Sequence, residues 1–233
     1  MSKRQVVGSM SDWSGVLKDF FRQIGDGSIA LNQVQLFLEH QNPFEIKSES
    51  DISVLILITD WQNFYNDVFG IKVDFSDLQI PNKQSGFDRL IVVAKGMTTQ
   101  LFYDKCKELF TCWKWTDKNL DKVVESERTA KNSAYAIWIK NKVEADKELK
   151  NLSADDLKQK NITGITLEER LIYELKYFKE TGSHLDFKNI TLCTGSRCSG
   201  CVPDVVWRLD VFRVGWSSSG YRDGLLRSRR VVS

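Results

Sequence analysis

Apolar residues between Asp12 and Ile24 recur at helical spacing, with Trp13, Val16, Leu17, Phe20, Phe21 and Ile24 on one stripe. Gly25-Asp26-Gly27 stops that run. Ser28 reads as the cap of a second helix carrying Leu31, Val34, Phe37 and Leu38, which Asn42-Pro43 ends. The pair predicts a helical hairpin. Its Gly-Asp-Gly turn lacks the alternating acidic ligands and the later Glu of a calcium loop. A third helix is predicted over 52–69, where Trp61, Phe64, Tyr65, Val68 and Phe69 share a face before Gly70. Ile71 to Phe75 alternates as a short strand does. Pro81 to Gly86 reads as a loop, dividing an N-terminal helical region (1–85) from a second region (86–233).

The second region mixes the two periods. Phe87 to Ala94 reads as a buried strand, and Thr98 as the cap of a helix bearing Leu101, Phe102, Cys106, Leu109 and Phe110. Lys95-Gly96-Met97-Thr98-Thr99 between them has one glycine and no GxxxxGK[ST] pattern, which excludes a phosphate-binding loop of that type. A short helix over 117–124, a strand over 134–143 and a small helix from Ser153 follow. Thr166 then caps a strong helix with Leu167, Leu171, Leu175 and Phe178 apolar, ending at Gly182. Beyond it, 191–193, 202–207, 211–216 and 225–232 read as strands. Val211, Arg213 and Gly215 fall on one face of the third of these, Phe212, Val214 and Trp216 on the other. The fold class is α+β: helices first, then a mixed part ending in a small antiparallel sheet.

Composition adds exclusions. With 33 Lys plus Arg against 31 Asp plus Glu, the net charge of +2 gives no support to a general nucleic-acid or membrane-surface role. The longest apolar run, Val54 to Ile58, is far short of the ~20 residues a membrane span needs. The N-terminus lacks the apolar core of a secretory signal. The expected location is therefore cytoplasmic, with surface display left open.

Candidate chemistry is sparse. The 5 cysteines are an odd number and no signal peptide is evident, which argues for free thiols. Cys198-Ser-Gly-Cys201, with Cys193 upstream, has part of a zinc spacing, but the histidines are only His40 and His184. Each reads as a surface residue or a helix-end cation rather than a catalytic base. Gly195-Ser196-Arg197 is not a nucleophile elbow, and acidic pairs such as Asp155-Asp156 and Glu168-Glu169 sit at helix starts, where the dipole accounts for them. No catalytic residue, metal site or cofactor is expected.

The last 45 residues are anomalous. Residues 189–233 contain no Lys, Glu, Gln or Met but 7 Arg, whereas those four types make up 46 of the first 188 residues. A β-rich segment disfavours Lys and Glu, and a nucleic-acid site would favour Arg beside Trp207, Trp216 and Tyr221. A genetic cause also fits. Codons AAT and AAC, changed at their adenines, never encode Lys, Glu, Gln, Met or Trp.

Four stretches carry a resemblance: LKDFFRQIGDGSI…VQLFLEHQNPF (17–44), FDRLIVVAKGMTTQLFYDKCKELFTCWKW (87–115), GITLEERLIYELKYFKETGSHLDFKNITLCTGSR (164–197) and VPDVVW…VFRVGW…LLRSRRVVS (202–233). They look like a family of proteins from small-genome candidate-phylum bacteria, itself uncharacterised. The C-terminal layout resembles the variable proteins of diversity-generating retroelements. That resemblance implies a C-type-lectin-like sheet and a diversified, non-enzymatic binding surface. Thr194-Gly195-Ser196-Arg197 and Leu226-Arg227-Ser228-Arg229 would stand for the GGSW-type and GFR-type strands, with Arg197 where the first has Trp.

On this reading Val205, Trp207, Phe212, Val214, Trp216 and Leu226 are buried anchors. The candidate ligand-binding residues are Cys198, Gly200, Cys201, Asp204, Val206, Arg208, Asp210, Arg213, Ser217, Ser218, Ser219, Tyr221, Arg222 and Asp223. The partner would be a protein or another macromolecule. The alternative is a nucleic-acid-binding or regulatory module using the Arg/Trp/Tyr-rich tail.

Overall fold

The computed structural model describes residues 10–39 and 49–233. His40 and Asn42-Pro43 lie outside the described residues. The chain divides into two units, Met1–Leu55 and Ile56–Ser233.

In the first unit, α1 (Met10–Gly25) and α2 (Leu31–Leu38) follow the predicted periodicity. The cap differs. Ser28 closes the turn instead, its backbone N and Oγ donating to Asp26 Oδ1, and Ala30 is the N-cap of α2, its N–H donating to the Gln33 side chain. α3 (Glu49–Phe69) crosses the division. Its second half belongs to the larger unit, because Trp61, Phe64 and Tyr65 are buried in one core with Leu90 and Val92. The division therefore falls within α3, earlier than residue 85. Ile71 to Phe75 forms no strand. Phe75 is buried and Val73 half-buried, so the alternation records which side faces the core, while the backbone finds no ladder partner.

The larger unit holds a five-stranded sheet and two two-stranded ladders. β1 (Arg89–Val93) pairs antiparallel with β4 (Tyr135–Ile139), and four of the five residues in each are buried. Continuous apolar runs such as Leu-Ile-Val-Val suit strands covered on both faces. Trp61 Nε1 donates to the Leu90 carbonyl and the Tyr65 hydroxyl to the Val92 carbonyl, pinning α3 to β1. A five-stranded sheet has the order β2 (Cys112–Lys114), β8 (Val211–Ser218), β7 (Cys201–Arg208), β5 (Ile190–Leu192), β9 (Leu226–Arg227). The expected antiparallel pairing holds for β5, β7 and β8, while β2 and β9 add parallel edges. β3 (Glu125–Ser126) pairs with β6 (Ser196–Arg197). Residues 225–232 form no continuous strand. After β9 the chain end crosses to β4, where Val232 and Trp138 exchange both backbone hydrogen bonds.

α4 (Thr99–Leu109), capped by Thr98, packs on α7 (Leu167–Thr181). The Thr166 cap and the left-handed Gly182 bound α7 as predicted. The expected single apolar face is an understatement, for every residue from Leu167 to Lys176 is buried. Its charges are paired inside. Arg128 Nε donates to Glu169 at 2.7 Å, and Lys176 pairs with Asp60 at 2.6 Å. Arg170 is fully buried between Glu174 (2.8 Å) and Asp186 (2.9 Å). Burial pulls the Arg170 guanidinium down, and these carboxylates more than offset it.

Asp186 closes the cluster. Its carboxylate accepts from Arg229 Nη2 (2.6 Å), Arg170 Nε (3.0 Å), the Thr191 hydroxyl (2.5 Å) and the Ala145 N–H (3.0 Å). Arg229 spends its remaining donors on the Lys142 and Val143 carbonyls and the Thr191 hydroxyl. Four segments distant in sequence meet on one carboxylate.

Two stability experiments follow. Asp186→Asn keeps a residue type that tolerates the observed φ of 59° but leaves two guanidiniums facing one carboxylate. Urea denaturation at pH 7 is expected to show a loss of about 3–5 kcal/mol, the range for breaking a buried charge pair. The second concerns Glu168, whose carboxyl burial pushes up from 4.5 to about 7. The folded chain holds that proton more tightly than the unfolded chain. The stability this group contributes is therefore full below pH 4.5 and falls as pH rises through 7. Glu168→Gln keeps an acceptor for the Ala130 N–H and the Tyr135 hydroxyl. It should match the parent at pH 4 and exceed it above pH 7 by up to about 3 kcal/mol, read from melts across pH.

Candidate functional site

The β7–β8 ladder sorts the C-terminal segment by face. Opposed residues in an antiparallel pair share a side. Val205 opposes Val214 and Trp207 opposes Phe212 on the side turned to the core. Val205, Val214 and Phe212 are fully buried, and Arg170 of α7 lies 5.8 Å over the Phe212 ring. Trp207 is half-buried and stacks on His184 with ring centroids 3.3 Å apart. His184 in turn bonds Glu174 through Nδ1. The other side carries Asp204 opposite Gly215, Val206 opposite Arg213, Arg208 opposite Val211 and Val202 opposite Ser217.

Trp216 departs from expectation. It lies on the core side of the register, opposite the buried Pro203, but is 55% exposed and lines an open cleft. An anchor by alternation becomes a surface tryptophan.

The candidate residues fall in four places. Asp204, Val206, Arg213 and Ser217 share the outer face of the ladder, with Arg208 at its end. Asp204 is half-buried, and burial pushes its carboxyl upward, opposed by a 2.7 Å hydrogen bond from Ser217. It lies so close over Gly215 that a Cβ there would stand 2.6 Å from Asp204 Oδ1, which explains that glycine. Arg208 and Asp210 are exposed at the tight β7–β8 turn, where Leu209 and Asp210 both have positive φ. Cys198, Gly200, Cys201, Ser218 and Ser219 gather at the opposite end, since Cys201 opposes Ser218. Eight-residue strands put the two ends about 23 Å apart, so the set forms no single compact patch.

Tyr221, Arg222 and Asp223 lie on the loop after β8, tied to α6 (Ala154–Gln159). Arg222 makes a bidentate pair with Asp156 at 2.7 and 2.6 Å, and Ser219 donates to Asp155. The Arg222 hydrogen bonds, then those from Ser153, hold the Asp156 carboxyl well below its usual range. Asp223 accepts from the Leu225 N–H. Tyr221 is half exposed.

Cys198 and Cys201 are joined by a disulfide, which corrects the expectation of free thiols, and Cys198 is buried. The intervening Ser199 and Gly200 adopt positive φ, and the two cysteines exchange both backbone hydrogen bonds. Residues three apart that flank a two-residue turn face one another, so the turn geometry brings the sulfurs together. Cys193 remains free, and burial pushes its thiol upward, away from the reactive thiolate. Among the described residues no group of three His, Cys, Asp or Glu could hold a metal ion, and no helix is long and apolar enough to cross a membrane.

Beside the bridged turn lies a cleft of about 800 Å³. One wall is Cys198 to Cys201, Arg197 and Trp216. The other comes from the loop after β2 and from α5 (Leu120–Val123), with Trp115, Lys118, Lys122 and Glu125. Sequence reasoning missed this second wall, and also Trp113, which β2 brings to the outer face under Arg213 at 5.8 Å. The alternating Cys-Trp-Lys-Trp of 112–115 was the available signal for a strand. Its place beside β8 was not readable from spacing. Comparison with family models, curated proteins and solved structures finds no match.

The bridged turn yields a prediction. The disulfide closes a very short loop, so its stabilisation is expected to be about 2 kcal/mol. The flanking backbone hydrogen bonds survive reduction. Melts with and without dithiothreitol should therefore differ modestly, with a single cooperative transition in both.

Proposed function

We propose that the chain is a non-enzymatic ligand-binding protein whose C-terminal segment, 189–233, is a diversified recognition surface of the kind carried by retroelement variable proteins. The observation that carries this reading is the division of labour along β7 and β8. Val205, Phe212 and Val214 are fully buried, while Arg208, Asp210, Ser218, Tyr221 and Arg222 are exposed. The exposed types combine rigid contact area with adaptable hydrogen bonding. Apart from the tie of Arg222 to Asp156, the segment's backbone is held by other groups: Arg229 and Ser228 are buried, and Ser196 Oγ accepts from the Leu167 N–H at the start of α7. Side chains can change on such a frame without altering it.

The nucleic-acid reading gains less support. Trp207 is engaged with His184, and Arg222 with Asp156, so the tail's aromatic and cationic groups are not aligned for successive bases.

Replacing Arg208, Ser218, Tyr221 and Arg222 together by Ala should shift stability by no more than about 1 kcal/mol, the scale of exposed substitutions and one surface ion pair. Phe212→Ala should cost about 3–5 kcal/mol. Thermal melts compare the two. A quadruple variant that unfolds as readily as the Phe212 variant would remove the frame-and-surface division. The genetic arm is a near-copy of the coding segment for 189–233, differing at adenines, beside a reverse transcriptase gene.

A further inference from the structure

The cleft beside the bridged turn has walls of different origin. Trp115, Lys118 and Lys122 lie outside the C-terminal segment, whereas Arg197, the Cys198–Cys201 turn and Trp216 lie within it. If the segment is diversified, the first wall stays constant while the second changes. The constant wall therefore sets a ligand class common to every version.

The constant wall supplies two lysines and Trp115, and the wall from the C-terminal segment adds Arg197 and Trp216. Lys118 and Lys122 are exposed and join no ion pair among the described residues, unlike Lys83, Lys105 and Lys140, which pair with Asp88, Glu108 and Glu148. Arg197 Nη1 is occupied by the Thr194 and Ser196 carbonyls, which fixes the guanidinium at the cleft. Trp115 is half-buried and Trp216 exposed, so an apolar group has a surface to cover. Glu125 is the single carboxylate in the lining.

We propose that this cleft binds an acidic polypeptide segment, with a carboxylate at Lys118 and Lys122 and a neighbouring aromatic or aliphatic side chain against Trp216. The constancy of the wall rests on the display reading; the chemistry of the site does not. Two ammonium groups suffice for a carboxylate pair. A polynucleotide needs a longer track of cations to gain affinity through counterion release, and a lining of three cations with one carboxylate offers no such track.

The test is fluorescence anisotropy with the full chain and three labelled probes: the peptide Gly-Glu-Phe-Glu-Glu-Gly, its copy with Gln for Glu, and a thymidine octamer. The acidic peptide should bind at least fivefold more tightly than the other two. The double variant Lys118→Glu/Lys122→Glu and the single variant Trp216→Ala should each weaken it at least fivefold at unchanged melting temperature. Lys72→Glu, an exposed lysine elsewhere, should leave it unaltered. Equal binding of the Gln copy, no effect of the cleft variants, or no binding at all overturns the proposal. Tighter binding of the octamer overturns it in favour of a nucleic-acid site. In any of these outcomes a stable quadruple surface variant leaves the display reading standing, so the two fail separately.

Discussion

A single buried carboxylate holds the larger unit together. Asp186 receives Arg170 from α7, Arg229 from the chain end, the Thr191 hydroxyl from β5 and the Ala145 N–H from the loop after β4. Taking these charges out of water costs several kcal/mol each, and the cost is offset only if every donor and acceptor is matched. With Glu174, two guanidiniums meet two carboxylates in one closed set. Such a set is intolerant of displacement. A shift of β5 or of the chain end by one residue would strand a charge, so the cluster selects one register for the whole C-terminal sheet.

The sheet built on that register can afford a permissive exterior. β7 and β8 turn Val205, Phe212 and Val214 into the core; on the other face Val202 and Ser217 are buried as well, and Asp204, Val206 and Arg213 are half-buried. The exposed residues at the strand ends and in the following loop, such as Arg208, Asp210, Ser218 and Tyr221, contribute little to folding, because exposed contacts exchange for water at almost no gain. Where an outer residue is structural, the reason is visible: Asp204 lies over Gly215, and Arg222 ties the 218–225 loop to α6.

The arginine-only tail has a partial physical explanation. Arg229 needs a planar group with several donors to reach two carbonyls and a carboxylate together, which a lysine ammonium cannot supply. Arg197 caps two carbonyls, and Arg227 reaches a third. Arg208 and Arg213, on the outer side of the ladder, have no such structural duty among the described residues. The absence of Lys, Glu, Gln and Met from the same segment is not explained by these contacts. Low β-propensity accounts for part of it; the codon constraint belongs to the proposed function, and Trp207 and Trp216 fall outside it.

Period and capping were legible because they are local. Thr98, Thr166 and Gly182 bound their helices as read, since a cap depends on residues three or four positions away. The strands of 202–207 and 211–216 were legible for the same reason. The exposure of Trp216, the cleft and the Asp186 cluster were not, for each depends on residues far apart in the chain; the disulfide is local, but the Cys-Ser-Gly-Cys spacing suits a metal site as well as a bridged turn. Trp115 lies about 100 residues from Trp216, and Arg229 meets Lys142 across 87 positions. Residue spacing fixes which side of a strand a side chain takes. Only the packed structure decides whether that side is covered, because burial is set by what other segments cover, and no local pattern encodes their position.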